Sequence, residues 1–283
     1  MKIIWVLENI EKSKDFYSKF NILLLLTSTI LWKRNHPEDF CVLYGDDMTI
    51  DVLNKLKVLD VWDEIKPIPN TIKVNKSVFW ASAKLQVLSE INEPVILMDN
   101  DTHVYTPIKH LLDTDTVYVT NYEEGKGYYP SSIDPYVRKL TYRPRWKTDS
   151  VNVSFLQLPD PEFTNRYANK SIGLMEEFTV LKAPNPQYLI FSEQLLLRHM
   201  LDLEKINYKP ILDNSWNCLN KDWNLDNNEG IWNIKNSERY FKHYGPSKRD
   251  ILDGKDNSYE KEIKHLLNCI NLHNLDLSSI KNR

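Results

Sequence analysis

Four short, nearly unbroken apolar runs constrain this chain more than any other feature: KIIWVL (2–7), DFCVLYG (39–45), EPVILMD (93–99) and TVYVTN (116–121). A strand covered on both faces has no polar side, so it reads as a continuous apolar run rather than an alternating one. Between these runs lie helical stretches at 13–34, 47–59 and 77–91, the last placing Val78, Ala81, Leu85, Leu88 and Ile91 on one face. Strand and helix in alternation predict an α/β fold, a mostly parallel central sheet flanked by helices.

Residues 122–149 interrupt the alternation with prolines, glycines and many tyrosines, and read as a long excursion of the functional or mobile kind. Regular structure is expected to resume with SVNVSFLQL (150–158), a helix over 188–204 and a short strand at 239–244. In the tail, Tyr259, Ile263, Leu266 and Ile270 share one helical face, so a helix over 258–272 is expected to dock on the main domain. At 283 residues the organisation predicted is one domain over 1–249 and a C-terminal helical extension over 250–283.

Composition narrows the function. A formal net charge of −3 provides no global field that would draw the chain to nucleic acid. Glycine is scarce, at 7 residues, and neither GxGxxG nor GxxxxGK[ST] occurs, which argues against dinucleotide-binding and P-loop enzymes. Cys41, Cys218 and Cys269 are odd in number and widely spaced, fitting a reducing cytoplasm rather than a disulfide framework or zinc site. The N-terminal MKIIWVLENI is interrupted by Glu8 and reads as a first strand, not a signal peptide. NILLLLTSTILW (21–32) is the most apolar stretch, but a bilayer core needs about 20 apolar residues, so it is expected to be a buried helix.

The third apolar run ends in Asp99-Asn100-Asp101. In open parallel sheets ligands bind beyond the carboxyl ends of strands. An extended segment would send both carboxylates to one side and Asn100 to the other. Two carboxylates facing one point repel each other unless a cation lies between them, and Mn²⁺ or Mg²⁺ suits such oxygen ligands. The alternative is that Asp and Asn simply cap the strand and open a turn. Downstream, FKHYGPSKRD (241–250) adds His243, a borderline nitrogen ligand suited to Mn²⁺, Gly245, where backbone can approach a phosphate, and Lys248, a point charge for one.

With AKLQVLSEINEPVILMDNDTHVY, SVNVSFLQL, FSEQLLLRHM and FKHYGPSK in this order, the chain resembles glycosyltransferases of the glycogenin and lipopolysaccharide galactosyltransferase type over about residues 2 to 249. The resemblance implies the GT-A, Rossmann-like fold and a nucleotide-sugar donor, UDP-linked by family habit. It also implies a retaining transfer to a glycan, lipid-linked or other acceptor. By the same resemblance Asp99, Asp101 and His243 would bind the metal, and Glu193 and Gln194 of SEQLLL would line the sugar pocket beside the reacting carbon. Glu8, Lys84, Asn100, Asn152, Gly245 and Lys248 would then contact the donor. The chain departs from the family pattern in several places: the histidine block is a residue shorter before its glycine and lacks Pro-Trp, Ser154 replaces a glycine, and Ser82 stands where an arginine is usual, with Lys84 as its substitute.

The excursion contributes YVRKLTYRPRWK (136–147), five basic residues and no acidic ones, interleaved with Tyr136, Tyr142 and Trp146. Such a segment either packs its aromatics back on the domain or offers stacking platforms to an anionic acceptor, nucleic acid included. Two rival functions are a haloacid-dehalogenase-like phosphatase, whose first motif is also an apolar strand ending D-x-D, and a turnover-deficient glycosyltransferase-like binding protein. Against the phosphatase, His103 stands where that motif wants Thr or Val, and about a hundred residues precede Asp99.

Overall fold

The computed structural model describes residues 1–8, 19–69, 72–125, 128–142, 149–185, 187–217, 222–224, 230–232, 240–244, 248, 251 and 258–270. In chain order β1 is Lys2–Leu7, α1 Lys19–Asn35, β2 Phe40–Gly45, α2 Asp47–Lys55, β3 Glu64–Pro67 and α3 Ser82–Glu90. Next come β4 (Val95–Met98), β5 (Thr102–Val104), β6 (Val117–Glu124) and β7 (Asp149–Leu158). Helix α4 covers Pro161–Val180, and a π-helical turn over Phe191–Leu195 joins α5 (Gln187–Ile190) to α6 (Leu196–Glu204). Four short strands follow, β8 (Tyr208–Pro210), β9 (Ser215–Asn217), β10 (Asp222–Asn224) and β11 (Phe241–His243), and then α7 (Ser258–Ile270).

These elements form two compact α/β units that interleave along the chain. The first contains Met1–Pro67, Met98–His110 and Ser237–Arg283, the second Ile68–Leu97 and Leu111–Asn236.

In the first unit β1, β2 and β3 pair in parallel, with Ile4 opposite Val42 and Val42 opposite Glu64. Ile3, Ile4, Trp5, Val42 and Leu43 are fully buried, as the unbroken apolar runs require. Helix α1 shuts Ile22 through Leu26 from solvent, which explains why the segment has no polar face. Its buried Ser28 would cost about 1–3 kcal/mol if unpaired. Instead Ser28 Oγ accepts from the Trp5 indole at 2.9 Å and donates to the Thr102 carbonyl at 2.6 Å. A helix of the apolar core thus fixes the first residue of β5, beside Asp101. Helix α7 presents Leu266 and Ile270 as buried residues and sets Tyr259 6.2 Å from the Phe20 ring of α1.

In the second unit the strand order is β10-β9-β6-β7-β4, with β8 also paired to β6. Pairs β6/β8 and β6/β9 are parallel, whereas β6/β7 and β9/β10 are antiparallel. Helix α4 carries no counterpart in the expected elements. Asp160 caps it by accepting from the Glu162 N–H at 2.8 Å, and Pro161 occupies its first turn. Phe178 at its far end stacks on Phe79, 6.5 Å between ring centres.

Several boundaries differ from expectation. The helix expected over 77–91 begins at Ser82, after a turn in which Asn75 O accepts from both Val78 and Phe79 N–H. Tyr122–Glu124, expected in the excursion, are strand, zipped to Val151, Ser150 and Asp149 of β7. The excursion is therefore the connection of an antiparallel hairpin. Of the helix expected over 13–34, residues 13–18 lie outside the described residues. Among the described residues no helix is long and apolar enough to cross a membrane.

Candidate metal site

Asp99, Asp101 and His243 each offer one ligand atom, and these atoms lie within 4.8 Å of one another. All three belong to the first unit. The expectation that Asp99–Asp101 is extended is corrected. Thr102 N–H donates to the Asp99 carbonyl at 3.1 Å, so residues 99–102 form a turn. A turn and a convergent carboxylate pair, set against each other in the sequence, coexist. Asn100 sits in the turn, half-buried.

The turn is held from both sides. Beyond it, β5 pairs antiparallel with β11, placing His243 opposite Thr102. Tyr244 N–H donates to the Asp101 carbonyl at 3.0 Å. This pairing brings residue 243 to residue 101 across the chain, with His243 Nε2 3.6 Å from Asp101 Oδ1. Lys248 Nζ stands 3.6 Å from Asp101 Oδ2. Asp101 is 8% exposed, while Asp99 and His243 are half-buried. Two carboxylates and an imidazole form an oxygen-and-nitrogen donor set that could hold a divalent metal ion.

His103, two residues beyond Asp101, takes no part in this set. Burial pushes its pKa down to about 3, so the ring is neutral. Its Nε2 lies 3.1 Å from the Leu24 carbonyl, which assigns the ring proton to that nitrogen. The ring also meets the Tyr244 ring edge-on at 5.1 Å.

Four of the expected site residues belong to the second unit. Glu193 lies in the π-helical turn, 4% exposed, with Oε1 3.5 Å from Lys84 Nζ. Such turns insert one extra residue into a helix and often mark functional positions. Its neighbour Gln194 is half-buried, and its shielded side-chain oxygen accepts no hydrogen bond from the described residues. Asn152 is engaged at both ends of its amide: the nitrogen donates to Glu123 at 2.8 Å and the oxygen accepts from Ser154 N–H at 3.0 Å. In the excursion Tyr136 meets the Tyr188 ring at 5.5 Å, and Lys170 Nζ sits 4.5 Å over the Tyr142 ring. These two aromatics pack on their own unit. Arg143, Arg145, Trp146 and Gly245 lie outside the described residues. Glu8, in the first unit, is half-buried just past β1.

Sequence reasoning missed the cluster of Lys242, Tyr244 and Glu262, in which Lys242 and Tyr244 flank His243 in the chain and Glu262 accepts a hydrogen bond from each. Glu262 stands three residues after Tyr259 and four before Leu266, beside the apolar face that marks the docking side of α7.

The chain belongs to the family of unknown function DUF6734, which it matches over residues 7–262. No curated protein matches it in sequence. Among solved structures it is similar to the glycosyltransferase GlyE of Streptococcus pneumoniae TIGR4, at 12% identity and TM-score 0.39, over 73% of this chain. It is similar to the galactosyltransferase LgtC in complex with donor and acceptor sugar analogs, at 11% identity and TM-score 0.40, over 74% of this chain and 73% of that one. A third is the PaToxG glycosyltransferase, at 11% identity and TM-score 0.40, over 72% of this chain and 68% of that one. The chain spans 44% of the length of GlyE.

Proposed function

We propose that this protein is a metal-dependent glycosyltransferase that moves a sugar from a nucleotide-sugar donor, a UDP-sugar, to a glycan or other acceptor with retention. The observation that carries the reading is the convergence of Asp99, Asp101 and His243 within 4.8 Å. Asp99, Asp101 and His243 would hold the ion. When bound, a divalent cation supplies Lewis-acid neutralisation of charge on a departing nucleoside diphosphate. Lys248, already 3.6 Å from Asp101, adds a positive point charge for a phosphate. Asn100 and Gly245 are assigned to the diphosphate, and Glu8 to the nucleobase.

Glu193 and Gln194 are the residues we assign to the transferred sugar, where positive charge builds in an oxocarbenium-like state. Lys84, paired with Glu193 in the second unit, orients that carboxylate and with Asn152 is assigned to the donor. The excursion over 122–149 is assigned to the acceptor side, residues 1–249 to the transferase domain and 250–283 to its extension.

The test is a panel of nucleotide sugars incubated with Mn²⁺ and no acceptor, reading released nucleoside diphosphate. Many transferases hydrolyse their own donor slowly, so one donor is expected to release product. That release is expected to vanish with a chelator and in Asp101→Ala. Release of inorganic phosphate instead would favour the phosphatase reading. Silence across the panel, with no Mn²⁺-dependent thermal shift from any nucleotide, overturns the proposal.

A further inference from the structure

We infer that Glu262 of α7 is a positioning residue for the metal site, acting through the two neighbours of His243; the inference rests on the metal reading of Asp99, Asp101 and His243. One carboxylate oxygen, Oε1, accepts from both the Tyr244 hydroxyl and Lys242 Nζ, the latter at 3.2 Å. Residues on a strand alternate faces, so Lys242 and Tyr244 of this segment project to one side and His243 to the other. Glu262 therefore grips the strand from the face opposite the ligand. Lys242 Nζ also lies 4.0 Å over the Tyr244 ring, so the three side chains form one closed cluster.

The grip matters because β11 is only three residues long and is held along its length by the pairing with β5. Tyr244 is fully buried, wedged edge-on between the His103 ring at 5.1 Å and the Phe20 ring at 6.0 Å. Its backbone N–H holds the Asp101 carbonyl, and its hydroxyl reaches Glu262. A single residue thus links the turn that carries one ligand, the strand that carries another, and a helix anchored on the apolar core by Leu266 and Ile270. Glu262 touches no candidate ligand. Its effect is on where the His243 imidazole stands relative to the carboxylates.

Mn²⁺ titrated alone into the full-length protein, with free Mn²⁺ read by electron paramagnetic resonance, tests the inference. Groups that orient metal ligands typically cost about 10–100-fold in affinity when removed. Because Glu262 acts one residue away from the ligand, Glu262→Ala is expected to weaken binding by about 10-fold, the low end of that range. Glu262→Gln keeps an oxygen for the Tyr244 hydroxyl and is expected to restore most of the affinity, and Tyr244→Phe is expected to fall between the two. Leu53→Ala, in the buried core of the same unit, controls for lost stability and is expected to lower the Tm without changing the Mn²⁺ affinity of the folded protein. If Glu262→Ala and Glu262→Gln bind within twofold of wild type, positioning is overturned while the metal site stands. Equal weakening in Leu53→Ala reduces Glu262 to a general stabiliser and likewise overturns it. If the wild-type protein binds no Mn²⁺, the metal reading falls and the inference falls with it.

Discussion

Two largely buried carboxylates in this molecule, Asp101 in the first unit and Glu123 in the second, are each 8% exposed yet live in opposite surroundings. Glu123 accepts from the Tyr129 hydroxyl at 2.6 Å and from the Asn152 amide at 2.8 Å, neutral donors that use one of its oxygens each. Asp101 faces a second carboxylate, an imidazole and an ammonium, with the two nitrogens at 3.6 Å. Burial of an acid is therefore no guide to its role. A carboxylate matched by short neutral hydrogen bonds is part of the frame, because each of its oxygens is already held by a donor. One placed beside another of like charge meets repulsion that a cation between them would relieve, and this is the difference on which the metal proposal rests.

The largest effect expected follows from removing one negative charge at each place without changing shape. Asp101→Asn is expected to lower metal-dependent donor turnover by at least about 100-fold, more than is typical of groups beyond the ligands themselves. Glu123→Gln is expected to leave Mn²⁺ affinity unchanged, since the amide oxygen can still accept from Asn152 while the amide nitrogen donates to the Tyr129 hydroxyl oxygen. The comparison breaks if the two substitutions have equal effects on Mn²⁺ binding measured by titration calorimetry.

Stability sharpens the same contrast at a smaller scale. Glu123→Ala leaves the Tyr129 hydroxyl and the Asn152 amide without their acceptor, at a cost of about 1–3 kcal/mol for each buried group left unpaired. Denaturant unfolding is expected to show a loss of this order, with the metal affinity of the first unit intact. A Glu123→Ala protein as stable as wild type would remove Glu123 from the frame.

How much of this was open to the sequence depends on the range of the interaction. The apolar runs at 2–7, 39–45 and 93–99 hold the strands Lys2–Leu7, Phe40–Gly45 and Val95–Met98 because a buried strand is written in consecutive residues. Asp99, Asp101 and His243 were found by residue type, and the structure brings them together. Their geometry was not foreseen: the backbone between the two aspartates is a turn, and turn or strand is decided there by the Thr102 to Asp99 hydrogen bond and by Ser28 holding Thr102. Helix α4 was missed because Asn165, Asn169, Lys170 and Ser171 dilute its apolar spacing, though Asp160-Pro161 spells a helix start. Asn152 was assigned to a ligand on motif alone, whereas its pairing with Glu123 spans 29 residues and leaves no local mark. The Glu262 cluster is of the same kind, an association of distant segments that only packing reveals.

The smallest effect expected concerns histidines, and it extends the comparison from acids to bases. His243 stands among carboxylates, whereas His36 is 3% exposed and its Nε2 accepts the Ile108 N–H at 2.9 Å. That bond requires a lone pair on Nε2, so only a ring unprotonated there can make it. Burial holds the His36 pKa below its ordinary value of 6.5, outweighing the nearby Asp39. In the unfolded chain the ring titrates near 6.5, so as pH falls through that value the unfolded state binds more protons than the folded one. Stability from this group is therefore full above about pH 6.5 and declines as the solution is made more acid, down to the lowered folded pKa. His36→Gln, which keeps an acceptor oxygen and does not titrate, is expected to flatten that part of the Tm-against-pH curve, at some cost in Tm at neutral pH. An unchanged acid slope in His36→Gln would move the acid sensitivity to other groups and leave His36 as packing alone.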